Sequence, residues 1–98
     1  MNITDIQIFL ANEERLKAYA TITIENAFIV RDLKVINGNS GLFVAMPAKK
    51  RKDGTFKDIA HPLNQETRDS IEAQVLAAYE KAVADSASGT GAQTSNYE

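Results

Sequence analysis

The sequence predicts an α+β fold, with an antiparallel sheet of about five strands followed by one C-terminal helix. Apolar and polar residues alternate over much of residues 3–60, which is the pattern of strands with one buried face. From residue 65 onward the apolar residues recur about every four positions, as in an amphipathic helix. Turn signals separate the alternating runs, so the strands are expected to pair as hairpins.

The first three strands are predicted from alternation and from the polar segments between them. Ile3–Leu10 alternates, and a polar connection at residues 12–15 leads to a second alternating run, Ala18–Glu25. The β-branched residues of that run suit a pleated surface. The pair Glu25-Asn26 forms a short turn into the third strand, Phe28–Ile36.

Two turn signals bound the next pair of strands. Residues 37–41, Asn-Gly-Asn-Ser-Gly, predict a turn because Asn and Gly tolerate positive φ. Leu42–Met46 follows as a strand that is apolar on both faces, and Pro47 ends it because proline cannot donate to a ladder. Asp53-Gly54 is the strongest hairpin signal in the chain, and Thr55–Ala60 returns as a shorter fifth strand.

One helix is predicted after the strands, with Asn64 as its N-cap and Thr67 as the alternative. Its apolar stripe recurs every four residues: Ile71, Val75, Tyr79 and Val83. The helix should end near Ala84, which makes residues 1–84 a single domain. Residues 85–98 are rich in Ser, Thr and Gly without apolar periodicity, and we predict a disordered tail there.

A single helix can cover only one face of the sheet. The other face would still carry Tyr19, Phe43 and Ala45. Small soluble domains seldom leave such a surface exposed to water. We therefore expect a homodimer that forms through a sheet face or a sheet edge.

Composition excludes several classes of protein. The 98-residue chain has no cysteine, which rules out disulfides, thiolate metal sites and a cysteine nucleophile. No apolar run approaches the roughly 18 residues of a membrane span, and the N-terminus lacks the basic and apolar regions of a signal peptide. We expect a cytoplasmic protein that does not insert into membranes.

His61 is the only histidine and the first residue to consider for catalysis. It belongs to no nucleophile elbow and to no metal-binding spacing of the HExxH kind. We interpret it as a structural turn residue that bonds to the backbone. No enzyme activity, metal, cofactor or small-molecule substrate is expected, and a hydrolase that uses His61 is a distant alternative.

The positive charge is concentrated in one segment. Residues 1–84 carry eleven Lys plus Arg and eleven Asp plus Glu, yet residues 47–57 contain five cations and only one acid, Asp53. The five cations are Lys49, Lys50, Arg51, Lys52 and Lys57. A hairpin with this charge could bind a polyanion through its phosphates. The alternative is a solvated loop whose lysines discourage edge-to-edge aggregation.

Several stretches of the chain resemble one bacterial family, the stage V sporulation protein G family of septation proteins. The likeness covers about residues 1–84, from ITDIQI through GLFVAMP and DG to DIAHP. The resemblance implies a small cytoplasmic protein of one sheet and one helix that dimerises, binds DNA and RNA, and acts in septation, sporulation or gene regulation without being an enzyme. It also implies nucleic-acid contact at six residues: Lys49, Lys50, Arg51, Lys52, Lys57 and Arg68.

One departure from the family and one alternative function remain. Family members commonly have Pro before the Asp-Gly turn, where this chain has Lys52, so its loop should be more basic and less rigid. The alternative function is a protein–protein adaptor of the division machinery that uses the apolar surface of the sheet. Binding by such an adaptor would survive neutralisation of the loop cations.

Overall fold

The computed structural model describes residues 2–87, which form six strands and one helix. The elements are β1 Ile3–Leu10, β2 Leu16–Ile24, β3 Phe28–Gly38, β4 Gly41–Ala45, β5 Ala48–Lys50, β6 Phe56–Asp58 and α1 Gln65–Ala87. The predicted α+β class is confirmed. Residues 85–87 of the predicted tail continue the helix, and the remainder of that tail lies outside the described residues.

The strands form two separate sheets. Strands β1 to β4 pair in sequence order as an antiparallel meander, while β5 and β6 pair only with each other. The predicted fifth strand is therefore β6, and its partner is the short β5 instead of the main sheet. The ladder between β3 and β4 ends at Ala45, two residues before Pro47, which has no N–H to extend it.

The core lies between α1 and one face of the main sheet. The helix contacts β1 and β4, the two edge strands, so it spans the face across β2 and β3. The buried apolar residues come from all five of these elements and from the residue after β4: Ile8, Ala18, Ala20, Ile22, Leu33, Val35, Val44, Met46, Ile71 and Val75. Leu33, Val35 and Val75 are the largest of those with no exposed surface.

The helix begins as predicted. The side-chain oxygen of Asn64 accepts a hydrogen bond from the N–H of Thr67 at 2.8 Å, which confirms Asn64 as the N-cap. The predicted stripe is correct at Ile71 and Val75, whereas Val83 is 40% exposed. A step of four residues overshoots one helical turn by about 40°, so the stripe rotates out of the core and Ala82 packs there instead.

The face of the main sheet opposite α1 is called the open face below. Cross-strand register places Phe9 beside Tyr19, Tyr19 beside Lys34, and Lys34 beside Ala45, so these four residues form one row across the sheet. Phe43 lies on the same face and is 40% exposed. The predicted uncovered face is therefore present, and it carries a lysine among its aromatic residues.

The β4 edge of the main sheet is partly closed by the helix. The backbone N–H of Val44 donates to the Oε2 atom of Glu72 at 3.1 Å. This carboxylate occupies a donor that an incoming strand would otherwise use. The bond therefore makes addition of a further strand at this position of the β4 edge less favourable.

Candidate nucleic-acid interface

The basic hairpin, residues 48–58, is exposed at every position. Its ladder pairs Ala48 with Asp58, Lys49 with Lys57 and Lys50 with Phe56. Two lysines therefore lie directly opposite each other, with Cβ atoms about 5 Å apart. Like charges in this position destabilise a strand pair, so the sequence of the hairpin is not optimised for its own stability.

The tip of the basic hairpin is a loop of three residues, Lys52, Asp53 and Gly54. Gly54 donates its N–H to the carbonyl of Arg51 at 3.0 Å, which closes a β-turn with Lys52 and Asp53 at its centre. Gly54 follows with a φ of 91°, a conformation that residues with a Cβ rarely adopt. A turn followed by a left-handed glycine is a common hairpin connection, and the predicted Asp-Gly turn is confirmed.

The basic hairpin contains two acids: Asp58, which pairs with Ala48, and Asp53 at the tip, whose carboxylate is held by the loop itself. Oδ1 accepts hydrogen bonds from the hydroxyl of Thr55 at 2.7 Å and from the N–H of the same residue at 3.0 Å. These two bonds, the hydroxyl first, lower the pKa of Asp53 because they stabilise its charged form. The carboxylate therefore orders the turn by bonding to Thr55.

The five hairpin cations are exposed, and the structure records no ion pair for any of them within residues 2–87.

The base of the hairpin is anchored to the body of the protein. Ile59 donates its N–H to the carbonyl of Pro47 at 2.8 Å, and Pro47 and Met46 are buried. The cations thus stand on a short arm that projects from a fixed base.

Arg68, the sixth predicted residue, lies on a different element. It is half-buried one turn into α1, and the connection at residues 59–64 separates it from β6. The structure therefore brings five of the six predicted cations onto one hairpin and places Arg68 at the start of the helix. The early position in the helix suits an anion more than a cation, so Arg68 gains nothing there from the helix dipole.

Lys52 occupies the second position of the turn that Arg51 begins and Gly54 ends. Proline is favoured at this position because its fixed φ suits it, and the hydrogen bonds of this turn use other N–H groups. Proline would therefore be acceptable at this position, and Lys52 provides one more cation at the cost of stiffness.

His61 has the backbone contact that the sequence predicted. Its Nδ1 atom lies 2.9 Å from the carbonyl oxygen of Pro62, a distance that fits a hydrogen bond with Nδ1–H as the donor.

Within residues 2–87, no three His, Cys, Asp or Glu side chains are grouped so that they could hold a metal ion. In the same part of the chain, no helix combines the length and the apolar character needed to cross a bilayer.

Sequence reasoning missed a second feature, a cleft of about 550 Å³ on the open face. Its lining combines two aromatic rings, a lysine and two acids with the first residue of β5: Phe9, Tyr19, Lys34, Asp32, Glu13 and Ala48. One signal could have found it. In β1 the polar face reads Asp5, Gln7 and then Phe9, so an aromatic residue interrupts an otherwise polar face.

Comparison with known proteins gives the family. The chain matches the SpoVG family over residues 1–81, which includes the basic hairpin, Arg68 and most of α1. The chain belongs to the SpoVG family. This confirms the resemblance seen in the sequence, and residues 82–98 lie beyond the matched region.

Curated members of the SpoVG family show the extent of the likeness. A relative from Anaeromyxobacter sp. (strain Fw109-5) is 65% identical over 81 residues, which span 83% of this chain and 84% of the relative. A relative from Bdellovibrio bacteriovorus is 67% identical over 81 residues, or 83% and 75% of the two chains. One from Clostridium beijerinckii is 51% identical over 86 residues, or 87% and 94%. All three are named "Putative septation protein SpoVG".

Proposed function

We propose that this SpoVG-family chain is a nucleic-acid-binding regulatory protein, and that its basic hairpin holds the phosphates of DNA or RNA. The names of its relatives support a link to septation, which would be the process it regulates. The proposal concerns binding without chemistry, and it requires no cofactor or metal.

The observation that carries this proposal is the pairing of Lys49 with Lys57 on an exposed hairpin. A cross-strand pair of like charges costs stability in the free protein. A bound polyanion would remove that cost, because phosphate oxygens between the two ammonium groups attract both of them. A purely structural hairpin would gain from an acid at either position.

The charges of the hairpin favour contact with the phosphate backbone over direct reading of bases. Four of its five cations are lysines, whose ammonium groups act as point charges without the planar fork of arginine. Contacts with phosphates fix a protein on the strand but carry little sequence information. Binding through this hairpin should therefore be sensitive to salt and tolerant of sequence.

A salt titration with two matched double variants tests the proposal. Lys50→Ala with Lys52→Ala removes two hairpin cations, and Arg15→Ala with Lys81→Ala removes two exposed cations from elsewhere. Both variants have the same net charge. Fluorescence anisotropy on a labelled DNA duplex at several salt concentrations gives the slope of log K against log salt for each protein.

We expect the hairpin variant to reduce the magnitude of that slope by about 0.9 for each phosphate that is no longer neutralised. For the two removed cations together, the decrease should be nearly two units. The control variant should leave the slope close to the value of the unchanged protein. Equal slopes for the two variants would contradict the proposal, since binding would then depend on net charge and not on the hairpin. Unchanged binding by both variants would favour the protein–protein adaptor.

We also propose a homodimer, and the exposed apolar residues suggest where the two copies meet. Ile59 and Leu63, in the connection between β6 and α1, are 66% and 91% exposed, and Phe56 nearby is 69% exposed. These exposures exceed that of Phe43 on the open face. Light scattering checks the proposal, because a mass near 10.7 kDa at micromolar concentration would show a monomer.

A further inference from the structure

We propose that the cleft on the open face holds an unpaired nucleobase of the bound strand. The base would stack on the rings of Phe9 and Tyr19, and its edges would meet the charged groups around them. The inference rests on the proposed function, because the base belongs to a strand whose phosphates the basic hairpin binds. It assigns single-stranded nucleic acid as the preferred ligand and the sheet as a second contact surface.

The aromatic residues of the cleft are held on a rigid support. Phe9 and Tyr19 are cross-strand partners on β1 and β2, and Tyr19 is in turn the partner of Lys34 on β3. Side chains on neighbouring strands stand about 4.8 Å apart on the same face. Aromatic rings displayed on a four-stranded antiparallel sheet form a platform on which bases stack, whatever the sequence of the strand.

The charged groups of the cleft suit a base better than they suit a phosphate. Glu13 and Asp32 line it beside Lys34. Two carboxylates repel a phosphate, but they accept hydrogen bonds from the amino and imino groups at the edge of a base. The lysine can donate to a carbonyl oxygen of the base or pair with a neighbouring phosphate.

The same charges argue against other occupants. Docking of a second copy of the chain on this cleft would bury Glu13, Asp32 and Lys34, and charged residues are depleted in the centre of protein interfaces. An apolar ligand would bury these charged groups without offering a hydrogen bond to any of them, which is costly. A flat aromatic ring system with polar edges satisfies both parts of the lining.

Position links the cleft to the basic hairpin. Ala48, the first residue of β5, lines the cleft, and the next residue is Lys49, the first hairpin cation. One strand can therefore place a base in the cleft while its phosphates continue along the hairpin. A base within a duplex is already paired and stacked, so only an unpaired one can enter.

A bulge in β3 positions one of the carboxylates. The register between β2 and β3 shifts between Ala20 and Ile22, which leaves an extra residue on β3 at this point. Asp32 lies in the bulge with a φ of 69°, an uncommon conformation for a residue with a Cβ. Bulges of this kind redirect side chains and occur often beside functional sites.

The test compares single-stranded and duplex oligonucleotides of the same length and sequence, as both DNA and RNA. The variant Phe9→Leu with Tyr19→Leu keeps apolar side chains but removes both rings. The control, Phe28→Leu, removes a ring that is 66% exposed at the distant β2–β3 turn. We expect the double variant to lose about tenfold or more in affinity for the single strands, and to bind the duplex as before.

Two single variants keep the result interpretable if the double variant folds poorly. Tyr19→Phe retains the ring and should retain the affinity for single strands, whereas Tyr19→Leu alone should lose several-fold. Circular dichroism and light scattering on each variant report the fold and the oligomeric state. A change in oligomeric state with the double variant would overturn the proposal, because the open face would then be a contact between copies.

Two outcomes separate this inference from the proposed function. If the hairpin variant Lys50→Ala with Lys52→Ala weakens binding to all oligonucleotides while removal of the rings has no effect, the base site is wrong and the hairpin role stands. If neither set of variants weakens binding, both are wrong. An equal decrease in affinity for single strands and duplexes with the ring variant would also overturn the base site.

Discussion

The basic hairpin and the main sheet are both built from antiparallel ladders, but they differ in what their side chains do. In β2, four of nine residues are buried, whereas every residue of β5 and β6 is exposed. The sheet is therefore stabilised by apolar burial against α1. The hairpin depends on its turn and on its anchored base, and its cations oppose its pairing.

This difference separates stability from binding. Because the hairpin buries almost nothing, its charges can be changed with little effect on the fold, and the fold can be weakened without altering the hairpin directly. Proteins commonly place binding residues on projecting loops that a rigid scaffold supports. Five variants test how complete the separation is in this protein.

The largest effect is expected in the core. Leu33→Ala removes a side chain with no exposed surface and leaves a cavity, which should lower the free energy of unfolding by about 2–5 kcal/mol. Urea denaturation measures this change. The matched control is Phe28→Ala, which truncates a side chain that is 66% exposed and lies outside the proposed contact between copies, and it should cost much less stability. Similar decreases for the two variants would contradict the assignment of the core.

A smaller effect is expected at the β4 edge. Glu72→Ala removes the acceptor of the Val44 N–H and should lower the free energy of unfolding by about 1 kcal/mol. Glu72→Gln keeps an acceptor oxygen and should cost less. The control is Glu80→Ala, an exposed acid farther along α1. If Glu72→Ala were no worse than this control, the hydrogen bond would not stabilise the edge.

The turn of the basic hairpin can be made more rigid without changing the main sheet or α1. Lys52→Pro fixes φ at the second turn position. It should stabilise the hairpin by about 0.4–1 kcal/mol, because proline lowers the conformational entropy of the unpaired hairpin. Hydrogen exchange at the amides of β5 and β6 measures this change in stability, with Lys52→Ala as the control for the removed charge. Both variants should weaken binding through one fewer cation, and faster exchange in the proline variant would show that the turn cannot accept proline.

At the cross-strand pair of Lys49 and Lys57, one substitution should change hairpin stability and DNA binding in opposite directions. Lys57→Glu replaces a like-charge pair by an opposite-charge pair with Lys49, and should stabilise the hairpin by about 0.2–1 kcal/mol. The same change should weaken DNA binding, because it removes one cation and adds an acid. Slower amide exchange together with weaker binding is the expected result. Tighter or unchanged binding would contradict the phosphate role of the pair.

The smallest effect concerns the turn acid. The hydrogen bonds from Thr55 lower the pKa of Asp53, so this carboxylate stabilises the turn at pH values above the usual range of an aspartate and loses that effect as pH falls through its lowered pKa. Thr55→Val removes the hydroxyl bond and should raise the pKa of Asp53 toward its ordinary value. An NMR titration of the Asp53 carboxyl carbon measures the shift. An identical midpoint in both proteins would show that the hydroxyl has no such role.

Local signals account for most of what the sequence predicted correctly. The alternation in Ile3–Leu10, the Asp53-Gly54 turn and the Asn64 cap each depend on a few neighbouring residues, and their physical rules operate over that range. The basic segment was likewise readable, because its five cations are consecutive or nearly so. These features would be present in any fold that kept the same elements.

The sequence by itself therefore determined the strands and their turns, the start of the helix and the hairpin charge. Only the tertiary structure decided which distant groups meet: Val44 with Glu72, Phe9 with Tyr19 and Lys34, and Ala48 with the cleft beside them. It also decided that β5 and β6 form their own sheet and that Val83 turns away from the core. The physical reason is that strand register and helix rotation are set by packing of the whole core, whereas capping and turn formation are set within a few residues.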